Sequence, residues 1–214
     1  MAIARPGGNR IPPGQVLTRG FPILHAGTVP EELDRESWRL AVHGAVRQPF
    51  ELNFAGLLDL PQAEETVDIH CVTSWTKLDT RWKGVAFQTI SERAQPTEDA
   101  RYVVMECEQG FTTSLPLAVL LEEGVMLSHG YDGQPLAAEH GGPVRMLVPQ
   151  RYFYKSAKWL RGLKFVAEDE PGFWEVRGYS NLADPWKELR YEVDDVREIH
   201  AMRKRSLFRP IVRR

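Results

Sequence analysis

The segment Thr66-Val67-Asp68-Ile69-His70-Cys71-Val72-Thr73-Ser74-Trp75-Thr76-Lys77 is a β-branched run that gives way to polar and aromatic residues. Branched side chains fit a pleated, half-buried surface, so the run predicts a core strand that ends at Cys71 and opens into a loop. A strand end of this kind is where a reactive or metal-ligating thiol is placed. Lys77 and Arg81 would supply the positive charge that a thiolate needs near neutral pH. The alternative is a small, inert cysteine buried in the core.

Outward from this segment, Trp38, Leu40 and Val42 alternate with polar residues and predict a half-buried strand. A second strand is expected around Phe50-Glu51-Leu52, after which Asn53 can cap a short helix from Phe54 to Asp59. Further strands are expected at 101–106, 125–127, 144–148 and 160–166. Helices are expected near Phe87–Arg93 and, opened by Pro116, through Leu121. Val193, Val196, Ile199 and Met202 recur at threefold spacing, which predicts an amphipathic helix over 191–205. Residues 1–20, interrupted by Gly and Pro, read as an extended arm and not as an element. Strands and short helices interleave without a βαβ rhythm, and no internal repeat is present. The fold class is therefore mixed α+β, with an arm over 1–20, a single domain over 21–191, and a C-terminal helix and basic tail over 192–214.

Composition narrows the function classes. The chain has 214 residues, of which 43% are hydrophobic and 26% charged, an ordinary globular balance. A net charge of -2 provides no basic field, so nucleic acid is not expected as a partner. Two cysteines are too few for a secreted disulfide scaffold. No apolar run approaches the roughly 20 residues of a membrane span. The start has no hydrophobic segment after its first charge, so the expected compartment is the cytoplasm. Walker, GxGxxG, HExxH and GxSxG motifs are lacking, which removes the common nucleotide, zinc-protease and hydrolase readings.

Residues 140–158 form the other unusual stretch. In His140-Gly141-Gly142-Pro143-Val144-Arg145 two glycines allow close backbone approach to a ligand, and Arg145 offers a forked donor. Lys155-Ser156-Ala157-Lys158 adds two ammonium groups and a hydroxyl, a set suited to an anion such as a phosphate or, failing that, to a solvated charged loop. A zinc site from His70, Cys71, Cys107, His129 and His140 is disfavoured, because the spacings match no zinc pattern.

The run from His70 to Val85 resembles the cysteine segment of the sulfite oxidase-like molybdopterin oxidoreductases, and most closely their small stand-alone bacterial branch. Gly133-Gln134-Pro135-Leu136, His140–Arg145 and Ser156-Ala157-Lys158-Trp159-Leu160 resemble the same family in the same order. So do Gly110–Leu117, Gly172-Phe173-Trp174-Glu175 and Gly178 to Trp186. The likeness runs over about residues 20 to 191 and extends to the catalytic subunit of the protein-methionine-sulfoxide reductases.

The resemblance implies a sulfite oxidase-type fold around one molybdopterin, with Cys71 as the thiolate ligand of molybdenum or, as a variant, tungsten. A soft thiolate suits a sulfur-bound metal. It also implies that His140 and Arg145 contact the pterin and that Ser156, Ala157 and Lys158 wrap the phosphate end. Cys107 falls where the methionine-sulfoxide reductases have a pterin-contacting Thr, and Phe21 and His25 match the N-terminal cofactor segment. His129 aligns with a Tyr of the sulfite oxidases, and His129 or Lys77 is expected to orient an oxyanion or donate a proton. Where those enzymes and close relatives carry arginines after the cysteine, this chain has Ser74-Trp75-Thr76-Lys77, which weakens the case for sulfite itself. The haem domain and the dimerisation domain of the animal enzymes are lacking, so a monomer without haem is expected, passing electrons to a separate carrier protein. The expected activity is oxygen-atom transfer on a small oxyanion or sulfoxide-type substrate. The alternative is a non-catalytic module that retains the fold and binds a cofactor or metabolite.

Overall fold

The branched run forms a strand as its composition requires, with Val67 and Ile69 buried and Thr66 and Asp68 half-buried. In this computed structural model, which describes residues 9–30 and 34–207, eleven strands and four α-helices follow one another. The strands are β1 (Val16–Leu17), β2 (Arg39–Gly44), β3 (Phe50–Asn53), β4 (Ala63–His70), β5 (Trp75–Ala86), β6 (Tyr102–Cys107), β7 (Thr112–Pro116), β8 (Met126–Tyr131), β9 (Gln134–Pro135), β10 (Arg145–Leu147) and β11 (Leu160–Val166). The helices are α1 (Phe54–Leu58), α2 (Phe87–Ala94), α3 (Leu117–Leu120) and α4 (Glu192–Leu207). One sheet has the order β1-β5-β8-β10, with β4 also paired to β5 and β9 to β8, and the other has β3-β2-β11-β6-β7. This is the mixed α+β class that the sequence predicts.

The larger apolar cluster draws Leu40, Met105 and Leu163 from the five-stranded sheet, Trp38 from just before it, and Val85, Leu127 and Met146 from the six-stranded one. A common core thus joins the two. Met126 and Leu147, the chain neighbours of Leu127 and Met146, belong instead to a second cluster with Val67, Ile69, Trp82 and Phe153. Adjacent residues of a strand point to opposite faces, so the six-stranded sheet is apolar on both sides. Its second face carries Phe153 and, partly buried, Phe21, and the candidate site lies there.

Local chemistry explains the helix starts. Asn53 caps α1 by accepting the Gly56 N–H at 2.8 Å, as expected, and Pro116 precedes α3. Three expectations need correction. The arm is not without elements, because β1 pairs in parallel with Trp75 and Thr76 of β5. The segment after Cys71 is not an open loop: it is a tight hairpin turn followed by the twelve-residue β5. The helix over 191–205 exists as α4, but Val193, Val196, Ile199 and Met202 are exposed. At ~3.6 residues per turn, a threefold repeat drifts about 60° per step and makes no single face. What holds α4 is Asp195, buried, whose carboxylate accepts Ser180 Oγ at 2.5 Å and Asn181 N–H at 2.7 Å. The basic tail beyond Leu207 and the first eight residues of the arm lie outside the described residues.

Candidate functional site

Cys71 occupies the tip of the β4–β5 hairpin. Its N–H donates to Trp75 O at 2.8 Å, and Ser74 N–H donates back to Cys71 O at 3.0 Å, with Ser74 at φ 74°. Two other parts of the chain grip this turn. From the arm, Gln15 Nε2 donates to Cys71 O at 3.1 Å and Val16 N–H to Ser74 O at 2.8 Å. From the C-terminal segment, Arg190 Nη1 donates to Val72 O. Thr73 Oγ1 lies 3.1 Å from Cys71 Sγ. Burial pushes the Cys71 thiol up, while the Thr73 hydroxyl and the charge of Arg190 act to bring it down.

Cys71 opens onto a cleft of about 370 Å³, within the range that takes a cofactor-sized ligand. The segment that follows the arm contributes Phe21, Leu24 and His25 to its wall, and the hairpin contributes Thr73 and Trp75. Phe153, Ser156, Ala157, Lys158 and Trp159 come from the segment between β10 and β11, and Phe173, Trp174 and Tyr179 from the chain after β11. Phe21 is fixed by a stacked contact with His140, ring centroids 4.0 Å apart and 7° from parallel, and His25 lies 5.7 Å from Trp159.

Two cations border this largely aromatic space. The Arg145 guanidinium is fully buried and donates to Met146 O at 3.2 Å, His140 O at 2.7 Å and Ser156 O at 2.5 Å. Its partners are carbonyls, none of them a carboxylate, and burial pulls its pKa down to about 9. Lys158 Nζ donates to Glu139 O at 2.5 Å, and burial together with the charge of Arg145 lowers it to about 7. A buried cation held only by neutral dipoles favours an anion in the adjoining space.

Comparison with known proteins gives the chain its family. The oxidoreductase molybdopterin binding domain matches residues 26–174, about 70% of the chain. The chain belongs to this family. Among relatives of this molybdopterin-binding oxidoreductase, the oxidoreductase YuiH of Bacillus subtilis is 46% identical over 86% of this chain and 93% of its own length. A putative protein-methionine-sulfoxide reductase subunit, YedZ1, of Azospira oryzae is 33% identical over 78% of this chain and 64% of its own. The sulfane dehydrogenase SoxCD of Paracoccus pantotrophus shares the fold, with a TM-score of 0.59 at 23% identity over 64% of this chain and 40% of that one.

The residues present fit molybdopterin. Among the described residues no three His, Cys, Asp or Glu side chains converge as a metal-ion site. A metal held beside Cys71 would then take further ligands from a bound molecule, such as a dithiolene cofactor. The Arg145 and Lys158 cations suit that cofactor's anionic end, and the aromatic walls suit its ring system.

Seven of the sequence-predicted residues line the cleft together: Phe21, His25, Cys71, Arg145, Ser156, Ala157 and Lys158. Four do not line it. His140 stands behind Phe21 with Nδ1 buried and without a hydrogen-bond partner. Cys107 is buried in the core, where burial pushes its thiol up. Lys77 Nζ donates to Arg19 O at 2.7 Å, on the exterior of the arm. His129 hydrogen-bonds Gln62 Oε1 through Nε2 at 2.8 Å and packs edge-on against Phe54. The role expected of Gly141 and Gly142 changes as well. A Cβ on Gly141 would meet Lys158 at 2.8 Å, and one on Gly142 would meet Leu136 O at 2.2 Å. These glycines admit neighbouring protein, and in doing so they set Lys158 against the cleft. Gln15 and Arg190 were not legible as site residues, since each acts by a contact with the hairpin from far along the chain, whereas Thr73 sits in the turn two residues from Cys71.

Proposed function

We propose that this protein is a molybdopterin-dependent oxidoreductase that transfers an oxygen atom to or from a sulfoxide-type substrate or small oxyanion, with the Cys71 thiolate as a ligand of molybdenum. The observation that carries the reading is the Cys71 thiol at a hairpin tip gripped by two other parts of the chain, opening into a cleft bordered by a buried cation without a carboxylate. Bound molybdopterin supplies a sulfur-ligated metal able to exchange an oxygen atom and two electrons with substrate.

The chain's own residues prepare the place for it. Thr73 donates its hydroxyl proton toward the Cys71 sulfur and orients the thiolate. Arg145 and Lys158 hold the anionic end of the cofactor. Ser156 Oγ accepts the Val148 N–H at 2.9 Å, which fixes the turn in which Ala157, lacking a bulky side chain, lets the cofactor approach the backbone. Phe21, Trp75 and Phe153 exclude water from the metal's surroundings, and a dry site strengthens each charge interaction inside it. The aromatic wall formed by Phe173, Trp174 and Tyr179 favours an organic sulfoxide over an inorganic oxyanion. Electrons pass to or from a separate carrier protein.

The test is the metal and pterin content of protein made in a host that synthesises molybdopterin. Near-stoichiometric molybdenum or tungsten with released pterin is expected. Protein with neither, from a host that loads a known molybdopterin enzyme, would favour the non-catalytic module.

A further inference from the structure

Arg190 is the one cationic side chain among the described residues whose hydrogen bond reaches the turn that carries Cys71. Its Nη1 donates to Val72 O, next in the chain to Cys71, although Arg190 is 118 residues away. Its Nη2 faces Gly14 O at 3.5 Å in the arm, and its guanidinium lies 5.2 Å above the Tyr152 ring. The backbone of Arg190 is itself fixed, because its N–H donates to Asp194 Oδ2 at 3.2 Å and its carbonyl accepts Ser180 N–H at 3.0 Å. Glu188 Oε1 pairs with the guanidinium only at 3.9 Å and from a half-exposed side chain, a long ion pair that leaves Arg190 Nη1 to Val72 O. With a side-chain exposure of 16%, the Arg190 charge is screened far less than a surface one.

We infer that Arg190 is a positioning residue for the Cys71 centre: it holds the hairpin turn through Val72 and, by its charge, raises the reduction potential of the metal. The inference rests on the proposed ligand role of Cys71. A fixed positive charge near a redox centre stabilises the more electron-rich state, and outer-shell groups of this kind tune bound metals. Arg190 does not line the cleft, so it acts through the turn and through its field, not by touching substrate.

The variants Arg190→Gln and Arg190→Lys separate these contributions. Gln retains a donor for Val72 O without the charge, and Lys retains the charge. The midpoint potential of the metal is read by electron paramagnetic resonance during redox titration of the loaded protein. Amide hydrogen exchange of residues 70–76 is followed in the same preparations. Arg190→Gln is expected to move the potential to a more negative value, whereas Arg190→Lys keeps it near wild type. Both variants speed exchange of the turn severalfold, since neither reproduces the forked contact. An unchanged potential in Arg190→Gln would overturn the inference, as would a shift in Arg190→Lys equal to that in Arg190→Gln. Should Arg190→Gln fail to fold, a negative shift in Arg190→Lys alone would overturn it. Cys71→Ser is run alongside. If its metal signal matches wild type, the ligand reading falls and this inference with it; if that signal changes while Arg190→Gln leaves the potential unmoved, only the inference falls.

Discussion

Lys158 shows how strongly burial and a like charge condition a single residue of the cleft. Burial, then the charge of Arg145, lower it to about 7 from an ordinary 10.5, with Glu139 pulling weakly the other way. Below pH 7 both folded and unfolded chains carry the proton, and the folded state bears the full penalty. As pH rises from 7 toward 10.5, the folded state sheds the proton while the unfolded state keeps it, so stability rises through that window. In cofactor-free protein, Lys158→Met is therefore expected to be more stable than wild type at pH 6, with the difference in Tm narrowing by pH 9. A pH-independent difference would contradict this account. The residue types of the site were legible where neighbours in sequence are neighbours in the cleft, as in Arg145 and Ser156–Lys158. They were not legible for Gln15 and Arg190, which matter because the fold brings them to the Cys71 turn.

Elements were read well where one face is apolar and badly where hydrogen bonds do the burying. Strand β5 buries Thr76 and Thr80, the latter through Oγ1–H donation to Val67 O at 2.5 Å, alternating with exposed Asp79, Arg81 and Lys83. An inward threonine reads as polar, so the strand's period of two is hidden. Helix α4 is the reverse case: its apolar residues are visible in the sequence but exposed, and the carboxylate of Asp195 anchors it. Asp195→Ala would strand the Ser180 hydroxyl and the Asn181 N–H, a loss of about 1–3 kcal/mol. Urea unfolding is expected to show it, together with faster amide exchange confined to 180–200. Asn53→Ala removes the cap of α1 and is expected to cost about 1 kcal/mol, readable in the same unfolding experiment. A loss in either variant indistinguishable from zero would mean that water replaces the lost acceptor.

At the scale of the whole molecule, a buried ion pair ties the cleft to the chain that follows the sheets. Lys155, flanked by the cleft residues Tyr154 and Ser156, meets the carboxylate of Glu175, with side-chain exposures of 0% and 2%. Lys155 Nζ also donates to Ser114 O at 2.9 Å and Asn181 Oδ1 at 2.9 Å, and Thr113 Oγ1 donates to Glu175 Oε1 at 2.5 Å. Breaking such a pair leaves a lone buried charge, so Lys155→Met is expected to lose about 3–5 kcal/mol. Lys155→Met with Glu175→Gln removes both charges and is expected to recover much of that loss in urea unfolding; no recovery would show that the pair is not the coupling element. Among the described residues no helix is long and apolar enough to cross a membrane. The sequence carried the fold class and most of the cleft through several short motifs in order. The gripping of the Cys71 turn by the arm and by Arg190 exists only once the chain is folded.

The measurement that bears most directly on the account is X-ray absorption at the metal edge of loaded wild-type protein and loaded Cys71→Ser. The account predicts one fewer sulfur neighbour at the metal in Cys71→Ser, in a protein that still folds and retains its pterin. The same number of sulfur neighbours in both would contradict it, because the thiol at the hairpin tip would then not be a ligand.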